Sequence, residues 1–287
     1  MDTLIEILKA ILFGIVEGIT EWLPVSSTGH LILLEEFLNL RAFADPEQNK
    51  AFIEMFNVVI QLGAILAVVL LFFHKLNPFS AKKTARQKKN TWQLWLKVIV
   101  AVLPSALIGL VLDDWMDAHL YNYIVVAITL ILYGVAFFFV EKLNRGKAFQ
   151  IRNVYDIDYR TAIFIGCFQC LSLIPGTSRS GATILGALLL GVSRSAGAEF
   201  SFFLAIPTML GASALKLLKF MISDVSMNGT AVAVLLVGCA VSFVVSLLVI
   251  KGLMEYVRKH SFAVFGIYRV GLGILVLLYF MIKALVG

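Results

Sequence analysis

Long apolar stretches dominate this chain. Six carry so few polar residues that they predict membrane-crossing helices: residues 56–73, 92–112, 123–140, 200–222, 231–250 and 262–282. A helix needs about 20 apolar residues to cross a hydrocarbon core about 30 Å thick, and each stretch comes close to that. The stretch 200–222 is apolar apart from Lys216 and Lys219 near its end. Two further apolar regions, 5–34 and 162–192, are interrupted. The first contains Glu17, Glu21, a break at Pro24 and then His30; the second contains Gln169, a break at Pro175-Gly176 and Arg179. Proline cannot donate the hydrogen bond that continues a helix. Backbone freed at membrane depth is tolerated only when buried in protein or lining a cavity. Both regions are therefore predicted to be re-entrant hairpins, each built as helix, tip and helix.

Composition agrees. Of 287 residues, 60% are hydrophobic and 15% charged, with a mean hydropathy of +0.92. A soluble domain carries about 25% charged residues, and a globular core cannot absorb such an apolar excess. The chain reads as an all-α polytopic membrane protein with one membrane domain, residues 1–287. Three cysteines give no disulfide framework, and Cys167-Phe-Gln-Cys170 lacks the second ligand pair of a zinc site. Asp2 and Glu6 stand where a signal peptide has its basic region, so residues 1–12 are not expected to be a cleavable leader.

The net charge of +6 matters less than its distribution. Residues 75–97 hold seven Lys or Arg and no acid, whereas 112–123 hold Asp113, Asp114 and Asp117 and no Lys or Arg. Between Glu35 and Glu54 acids outnumber bases. Basic short loops stay in the cytoplasm, so this pattern is a topology signal and not a nucleic-acid patch.

The interrupted regions also match each other. Gly14-Ile-Val-Glu17 faces Gly166-Cys-Phe-Gln169, and Pro24-Val-Ser-Ser-Thr-Gly29 faces Pro175-Gly-Thr-Ser-Arg-Ser-Gly181. Downstream, Gln61-Leu-Gly63-Ala faces Met209-Leu-Gly211-Ala. The offset stays near about 150 residues, which predicts two repeats, 1–150 and 151–287. Three spans per half place the second half upside down relative to the first. With residues 75–97 inside, the Asp113 and Asp224 loops fall outside, and 145–160 with Lys251, Arg258 and Lys259 fall inside. Both termini are then expected outside. An inverted-topology repeat of this kind places its site near the midplane, where broken helices meet.

A charge at the bilayer centre costs about 2.5–3.5 kcal/mol even on insertion scales, so Glu17, Glu21 and Arg179 need one another or a wet cavity. Glu17 and Glu21, four apart, share a helix face and could bind a proton or a cation between them. The plainer alternative is a pair at the membrane interface, neutralised by water. Ser26-Ser27-Thr28-Gly29-His30 follows a helix-ending proline and opens a new helix, whose free N–H groups and hydroxyls make an anion cradle. Ordinary capping by Ser or Thr is the simpler alternative. His30 adds a titratable group beside a hydroxyl, which suits nucleophile activation or proton transfer. Thr177-Ser178-Arg179-Ser180-Gly181-Ala182-Thr183 is a second cradle, with an arginine fork suited to phosphate oxygens. Arg179 could equally be a structural partner of Glu17 or Glu21. Arg194 and Glu199 are expected to pair with each other at a hairpin end. Arg269, inside the last span, needs an acid or a phosphate.

These residues also carry a likeness. Glu17-Gly-Ile-Thr-Glu21-Trp-Leu-Pro-Val-Ser-Ser-Thr-Gly-His30 and Pro175-Gly-Thr-Ser-Arg-Ser-Gly-Ala-Thr183 resemble the two signatures of bacterial undecaprenyl-diphosphate phosphatases, the bacitracin-resistance family. Gln61-Leu-Gly-Ala and Glu199-Phe-Ser-Phe-Phe-Leu-Ala-Ile-Pro207 extend the likeness, which runs in order from Glu6 to about Arg269. It implies a hydrolase that removes the terminal phosphate of undecaprenyl diphosphate and so recycles the lipid carrier of peptidoglycan synthesis. It also implies residence in the bacterial plasma membrane and a site opening outward. The family's acidic motif maps to Glu17 and Glu21, its serine–histidine element to Ser27 and His30, and its arginine motif to Ser178, Arg179 and Thr183. The likeness further suggests a divalent cation, Mg or Ca, which Glu17 and Glu21 would hold.

The residue chemistry fits the same reaction. Diphosphate cleavage needs charge neutralisation, a positioned nucleophile and a proton for the leaving oxygen. Arg179 and the cradles, with Ser26, Thr28, Ser178, Ser180, Thr183 and Arg269, are the phosphate-binding candidates. Ser27 is the candidate nucleophile, with His30 or Glu21 as base; a water nucleophile with Ser27 only binding phosphate is the other option. The expected partners are a polyprenyl diphosphate lipid and the bilayer, with no nucleic acid and a homodimer as the candidate assembly. The main rival is a transporter or flippase of a phosphorylated polyprenyl lipid, because inverted repeats with broken helices also build carriers. An acid-phosphatase-type lipid phosphatase fits less well, since Leu185 stands where that class needs a histidine.

Overall fold

A computed structural model of the chain describes residues 3–120, 122–223 and 225–286, without the side chains of Asp113, Asp114, Asp117 and Val286. Asp224 and those three aspartate side chains, used above as topology markers, lie outside the described residues. Eleven α-helices are present among the described residues: α1 Thr3–Thr20, α2 Ser27–Leu38, α3 Pro46–Leu71, α4 Phe73–Leu76, α5 Ala85–Leu120, α6 Tyr123–Leu143, α7 Tyr159–Cys170, α8 Arg179–Leu189, α9 Arg194–Ile222, α10 Gly229–Lys259 and α11 Ala263–Val286. The β pairing described is one isolated parallel bridge, Ile151–Val192.

Six of the helices (α3, α5, α6, α9, α10 and α11) are long and apolar enough to cross a membrane. They coincide with the six expected spans but run further at their ends. Helix α3 begins at Pro46 and not near residue 56, because Asp45 caps it, accepting from Gln48 N at 2.8 Å, and Pro46 occupies its first turn. A proline there loses no hydrogen bond. Helix α5 continues through Asp113, Asp114 and Asp117 to Leu120, so the expected acidic loop is helical. Likewise α10 carries Lys251, Arg258 and Lys259 within the helix. The two interrupted regions are each a pair of helices: α1 and α2 around Pro24, and α7 and α8 around Pro175-Gly176.

The chain divides into two compact units, and each draws on both sequence halves. The first comprises residues 1–22, 30–73 and 205–252; the second comprises 23–29, 74–204 and 253–287.

In the first unit, aromatic side chains fill the centre. Phe52 lies 5.8 Å from Phe56 and 6.5 Å from Phe220, and Phe56 meets Phe13 edge-on at 5.8 Å. Small residues let backbones approach. On α1, Gly14 and Gly18 face Gly238 O and Ser242 O of α10, where an added Cβ would lie 2.7 and 2.9 Å away. This is the small-residue spacing by which membrane helices pack closely. A Cβ on Gly63 would stand 2.1 Å from Cys239 O, whereas one on Gly211 meets nothing within 4 Å. These two glycines occupy matching places in the two sequence halves, yet substitution should separate them. Gly63→Ala is expected to destabilise by about 1–3 kcal/mol through overpacking. Gly211→Ala should be neutral or stabilising by up to about 1 kcal/mol, since alanine favours helix. Thermal unfolding in detergent checks both, and equal shifts would contradict the packing argument.

Glu35, at the end of α2 and outside the apolar helices, belongs to the same unit. Burial pushes its carboxyl up to about 7, against the opposing pull of a Leu40 backbone hydrogen bond and the charge of Lys9. The folded state therefore keeps a proton that the unfolded chain sheds near the ordinary carboxylate value. Stability from this group is full below about 4.5 and is lost as pH rises through about 7. Glu35→Gln should flatten the fall in melting temperature across that window, and an unchanged slope would assign the dependence elsewhere.

In the second unit, α6 and α11 touch through Gly134 and Gly266, and α7 approaches α5 so closely that a Cβ on Gly166 would stand 2.0 Å from Ala101 O. Asp158 caps α7, accepting from Thr161 N at 2.7 Å, and the Thr161 hydroxyl and N–H hold its carboxyl below the usual range. The expected Arg194–Glu199 pair does not form. Arg194 instead grips Glu141 (Nε–Oε1 2.9 Å), whose carboxylate also accepts from Phe262 N at 2.8 Å. Glu199 pairs with Lys75 at 2.7 Å. Residues five apart point away from each other on a helix, and both Arg194 and Glu199 lie on α9.

Candidate active site

The second unit contains both breaks, residues 23–29 and 174–181, and their backbones are built alike. Ser26 and Ser178 each adopt a positive φ, 76° and 72°, which non-glycine residues seldom accept. Each serine then caps the following helix from the same register: Ser26 Oγ accepts from Gly29 N at 3.3 Å, and Ser178 Oγ accepts from Gly181 N at 3.1 Å. Strain of this kind persists where surrounding structure fixes it, and it concentrates at functional sites. Each tip thus presents a helix N-terminus with its positive dipole end. At the second tip, Gly176 (φ +84°) could carry no side chain, since a Cβ would meet Thr129 Oγ1 at 2.2 Å.

The two tips touch. Ser180 Oγ donates to Leu23 O at 3.2 Å, and Arg269 bridges both. Arg269 is fully buried on α11. Its guanidinium donates to Pro24 O (3.1 Å) of the first tip and to Gly176 O (2.8 Å) and Thr177 O (3.0 Å) of the second. Longer contacts reach Leu130 O and Thr129 O on α6, both at 3.4 Å, and Tyr133 lies beneath its face at 5.4 Å. Within the chain Arg269 thus meets five carbonyls. For the three at the tips the physical reason is the break itself, because interrupted helices leave carbonyls that need donors and arginine carries five in a rigid fork. Thr129, a single hydroxyl on the apolar α6, helps by donating to Pro175 O at 2.8 Å.

Arg179, the first residue of α8, is half-buried and donates through Nη1 to Ser201 O at 2.7 Å. Ser201 also meets Thr183 Oγ1 at 2.7 Å, and Thr183 donates to Arg179 O at 2.9 Å. Ser178 Oγ and Ser180 Oγ lie 3.2 Å apart. Hence Ser26, Ser27, Thr28, Ser178, Arg179, Ser180, Thr183 and Arg269 all belong to one unit. Ser27 is buried and Thr28 half-buried. Ser201, Thr129 and Tyr133 join them and were not singled out as site residues in the sequence. The available signal was polarity within apolar helices, where a lone hydroxyl is costly unless partnered.

Glu17, Glu21 and His30 belong to the first unit. Glu17 is fully buried and Glu21 nearly so. Glu21 N donates to Glu17 O at 3.0 Å, so the helical path of α1 continues far enough for the two carboxylates to share a face. Glu17 sits between Gly14 and Gly18, whose close packing on α10 buries it. His30 is half-buried on α2. Among the described residues no group of three or more His, Cys, Asp or Glu gathers into a metal cage.

A model of the bacitracin resistance protein BacA family matches residues 10–275, which include both tips and Arg269. The chain belongs to that family. Three streptococcal proteins, each named undecaprenyl-diphosphatase, align along nearly their whole length. The Streptococcus mutans protein is 58% identical over 282 residues (98% of this chain, 99% of the relative). A Streptococcus thermophilus protein is 57% identical over 284 residues (99% and 96%). A Streptococcus pyogenes protein is 56% identical over 280 residues (98% and 98%).

Proposed function

We propose that this chain is a multi-pass membrane undecaprenyl-diphosphatase, which hydrolyses undecaprenyl diphosphate to undecaprenyl phosphate and inorganic phosphate and so confers bacitracin resistance. The observation that carries the reading is the pair of serine-capped tips, tied together by a buried arginine and bearing Arg179, in a chain of the BacA family. A diphosphate is an acceptor-rich dianion or trianion, and two helix N-termini with an arginine fork are built to bind it.

Arg179 and the tip N–H groups would bind the terminal phosphoryl oxygens, with Ser26, Thr28, Ser178, Ser180 and Thr183 as hydroxyl partners. Arg269 has committed its donors to carbonyls, and its buried charge would act from behind the tips. Ser27 attacks the terminal phosphorus, and its proton passes to His30 or Glu21. The bond from that phosphorus to the bridging oxygen breaks, and undecaprenyl phosphate leaves with the electron pair and takes up a proton. Water then releases phosphate from Ser27. In the competing route water attacks directly and Ser27 only binds phosphate. Glu17 and Glu21, two carboxylates on one face, would hold a Mg or Ca ion, which would supply further charge neutralisation.

The reading extends to the membrane. Helices α7 and α8, with 12 and 11 residues, reach only about 18 Å at 1.5 Å per residue. That is short of the hydrocarbon core, which favours a re-entrant hairpin, as does the equivalent break between α1 and α2. The matching caps at Ser26 and Ser178 favour the inverted repeat of 1–150 and 151–287. Both termini and the opening of the site would lie on the outer side, and a homodimer is the candidate assembly.

Phosphate release from undecaprenyl diphosphate by the purified protein in detergent, with and without chelator, tests the reading. Detergent offers a single compartment, so turnover there excludes a carrier without hydrolytic activity, and no release would overturn the proposal. Acid quenching should trap phosphoserine at Ser27 on the covalent route. Full turnover by Ser27→Ala would exclude that route.

A further inference from the structure

We propose that the segment around the start of α5 is a binding surface for the headgroups of anionic phospholipids. It lies in the second unit, apart from the tips, and its argument does not depend on the catalytic reading.

Of the seven cations in residues 75–97, three are consumed internally. Lys75 pairs with Glu199, Lys83 Nζ donates to Thr91 Oγ1 at 2.7 Å and to Lys75 O at 3.1 Å, and Lys97 Nζ donates to Tyr155 O at 2.9 Å. Trp95 Nε1 donates to Leu76 O at 2.8 Å and secures the segment against α5. The helix start is fixed by a reciprocal cap: Thr84 N donates to Gln87 Oε1 at 2.9 Å, and Gln87 N donates to Thr84 Oγ1 at 3.3 Å. The segment is therefore an ordered platform.

Four cations remain on it: Lys82, Arg86 and Lys89 exposed, and Lys88 half-buried. Among the described residues none of the four forms an ion pair. Arg86, Lys88 and Lys89 lie at the N-terminal end of α5, where the helix dipole disfavours cations and attracts anions. Nothing within the fold accounts for that placement. An external anion would be drawn by the side chains and by the helix end together.

The same helix shows which anion. Trp92, Leu96, Ile99, Leu103, Leu107 and Leu110 are all exposed and follow one another at intervals of three or four, a continuous apolar stripe for lipid. Lys89 stands three residues before Trp92 on that stripe, and Arg86 three before Lys89. At 1.5 Å per residue they lie about 4.5 and 9 Å beyond the tryptophan. Trp92 packs edge-on against the exposed Phe79 at 5.6 Å, an aromatic pair of the kind that marks the membrane–water interface. The headgroup layer is about 5–8 Å deep on each side of the hydrocarbon. The stripe thus turns from apolar to cationic at the depth where lipid phosphates sit, and clustered basic residues beside a span favour acidic lipids.

The test uses the purified full-length protein, delipidated in neutral detergent and titrated with phosphatidylglycerol or phosphatidylcholine, with bound lipid counted by native mass spectrometry. Wild type should retain phosphatidylglycerol preferentially. K82Q/R86Q/K88Q/K89Q should lower its apparent affinity at least about tenfold. If that variant fails to fold, R86Q/K89Q on the lipid-facing stripe should still lower it severalfold. Phosphate release in detergent without added lipid should be unchanged in either variant, since neither touches the tips. Equal retention of phosphatidylglycerol by wild type and variants overturns the proposal and leaves the cations as topology determinants alone. Equal retention of both lipids by wild type, or displacement of phosphatidylglycerol by millimolar inorganic phosphate, also overturns it.

Discussion

Arg179→Ala is expected to lower phosphate release about 10²–10³-fold, the usual loss when one preorganised partner of the transition-state charge is removed. Arg179 opens α8 beside the strained cap at Ser178, and Ser201 O fixes its guanidinium through Nη1. A guanidinium fixed in this way is set before substrate arrives, and a group of that kind acts mainly on kcat. Arg179→Lys keeps a point charge without the fork and should recover only part of the activity. Arg179 is half-buried at the first position of α8 whereas Arg269 is fully buried, so the melting temperature of Arg179→Ala should fall less than that of an Arg269 variant. Steady-state kinetics with undecaprenyl diphosphate, alongside thermal unfolding, checks both. Retention of full activity would remove Arg179 from the site.

Arg269→Leu should behave differently. It strips the donor from Pro24 O, Gly176 O and Thr177 O at the two tips, whereas Thr129 O and Leu130 O keep their places within the unbroken α6. Each buried carbonyl left unpaired costs about 1–3 kcal/mol. Relaxation and entry of water would recover part of that, for a net loss of about 3–5 kcal/mol. The melting temperature should fall by several degrees, and kcat should fall with it because the serine caps lose their common anchor. The contrast is the diagnostic. Arg179 variants lose rate with the smaller loss of stability, and Arg269 variants lose both. An Arg269→Leu protein with wild-type melting temperature would refute the carbonyl clamp.

The residues in these predictions differ in how plainly the sequence announced them. Arg179 was conspicuous, since a cation at a proline–glycine break in an apolar stretch has few uses. Arg269 is also conspicuous: the sequence shows a buried charge in need of a partner, and only the fold reveals that the broken backbone of both tips accepts from it. Ser201 and Thr129 were nearly silent, because a hydroxyl within an apolar helix usually bonds its own preceding turn. Their contacts to Thr183 and Pro175 O instead join separate elements, α9 to α8 and α6 to the second tip.

By itself the sequence determined the all-helical membrane class, the six long apolar helices, the two breaks and the chemistry placed at them. Those features follow from local causes: a span needs a run of apolar residues, a proline followed by a polar, glycine-containing turn breaks a helix, and a charge in hydrocarbon needs a reason. Tertiary structure alone decided the ion pairs of Arg194 with Glu141 and of Glu199 with Lys75, and the meeting of the two tips over Arg269. It also separated Gly63 from Gly211, which look alike in the sequence. Each of these depends on which backbone or side chain arrives from a distant part of the chain, and hydropathy is blind to that.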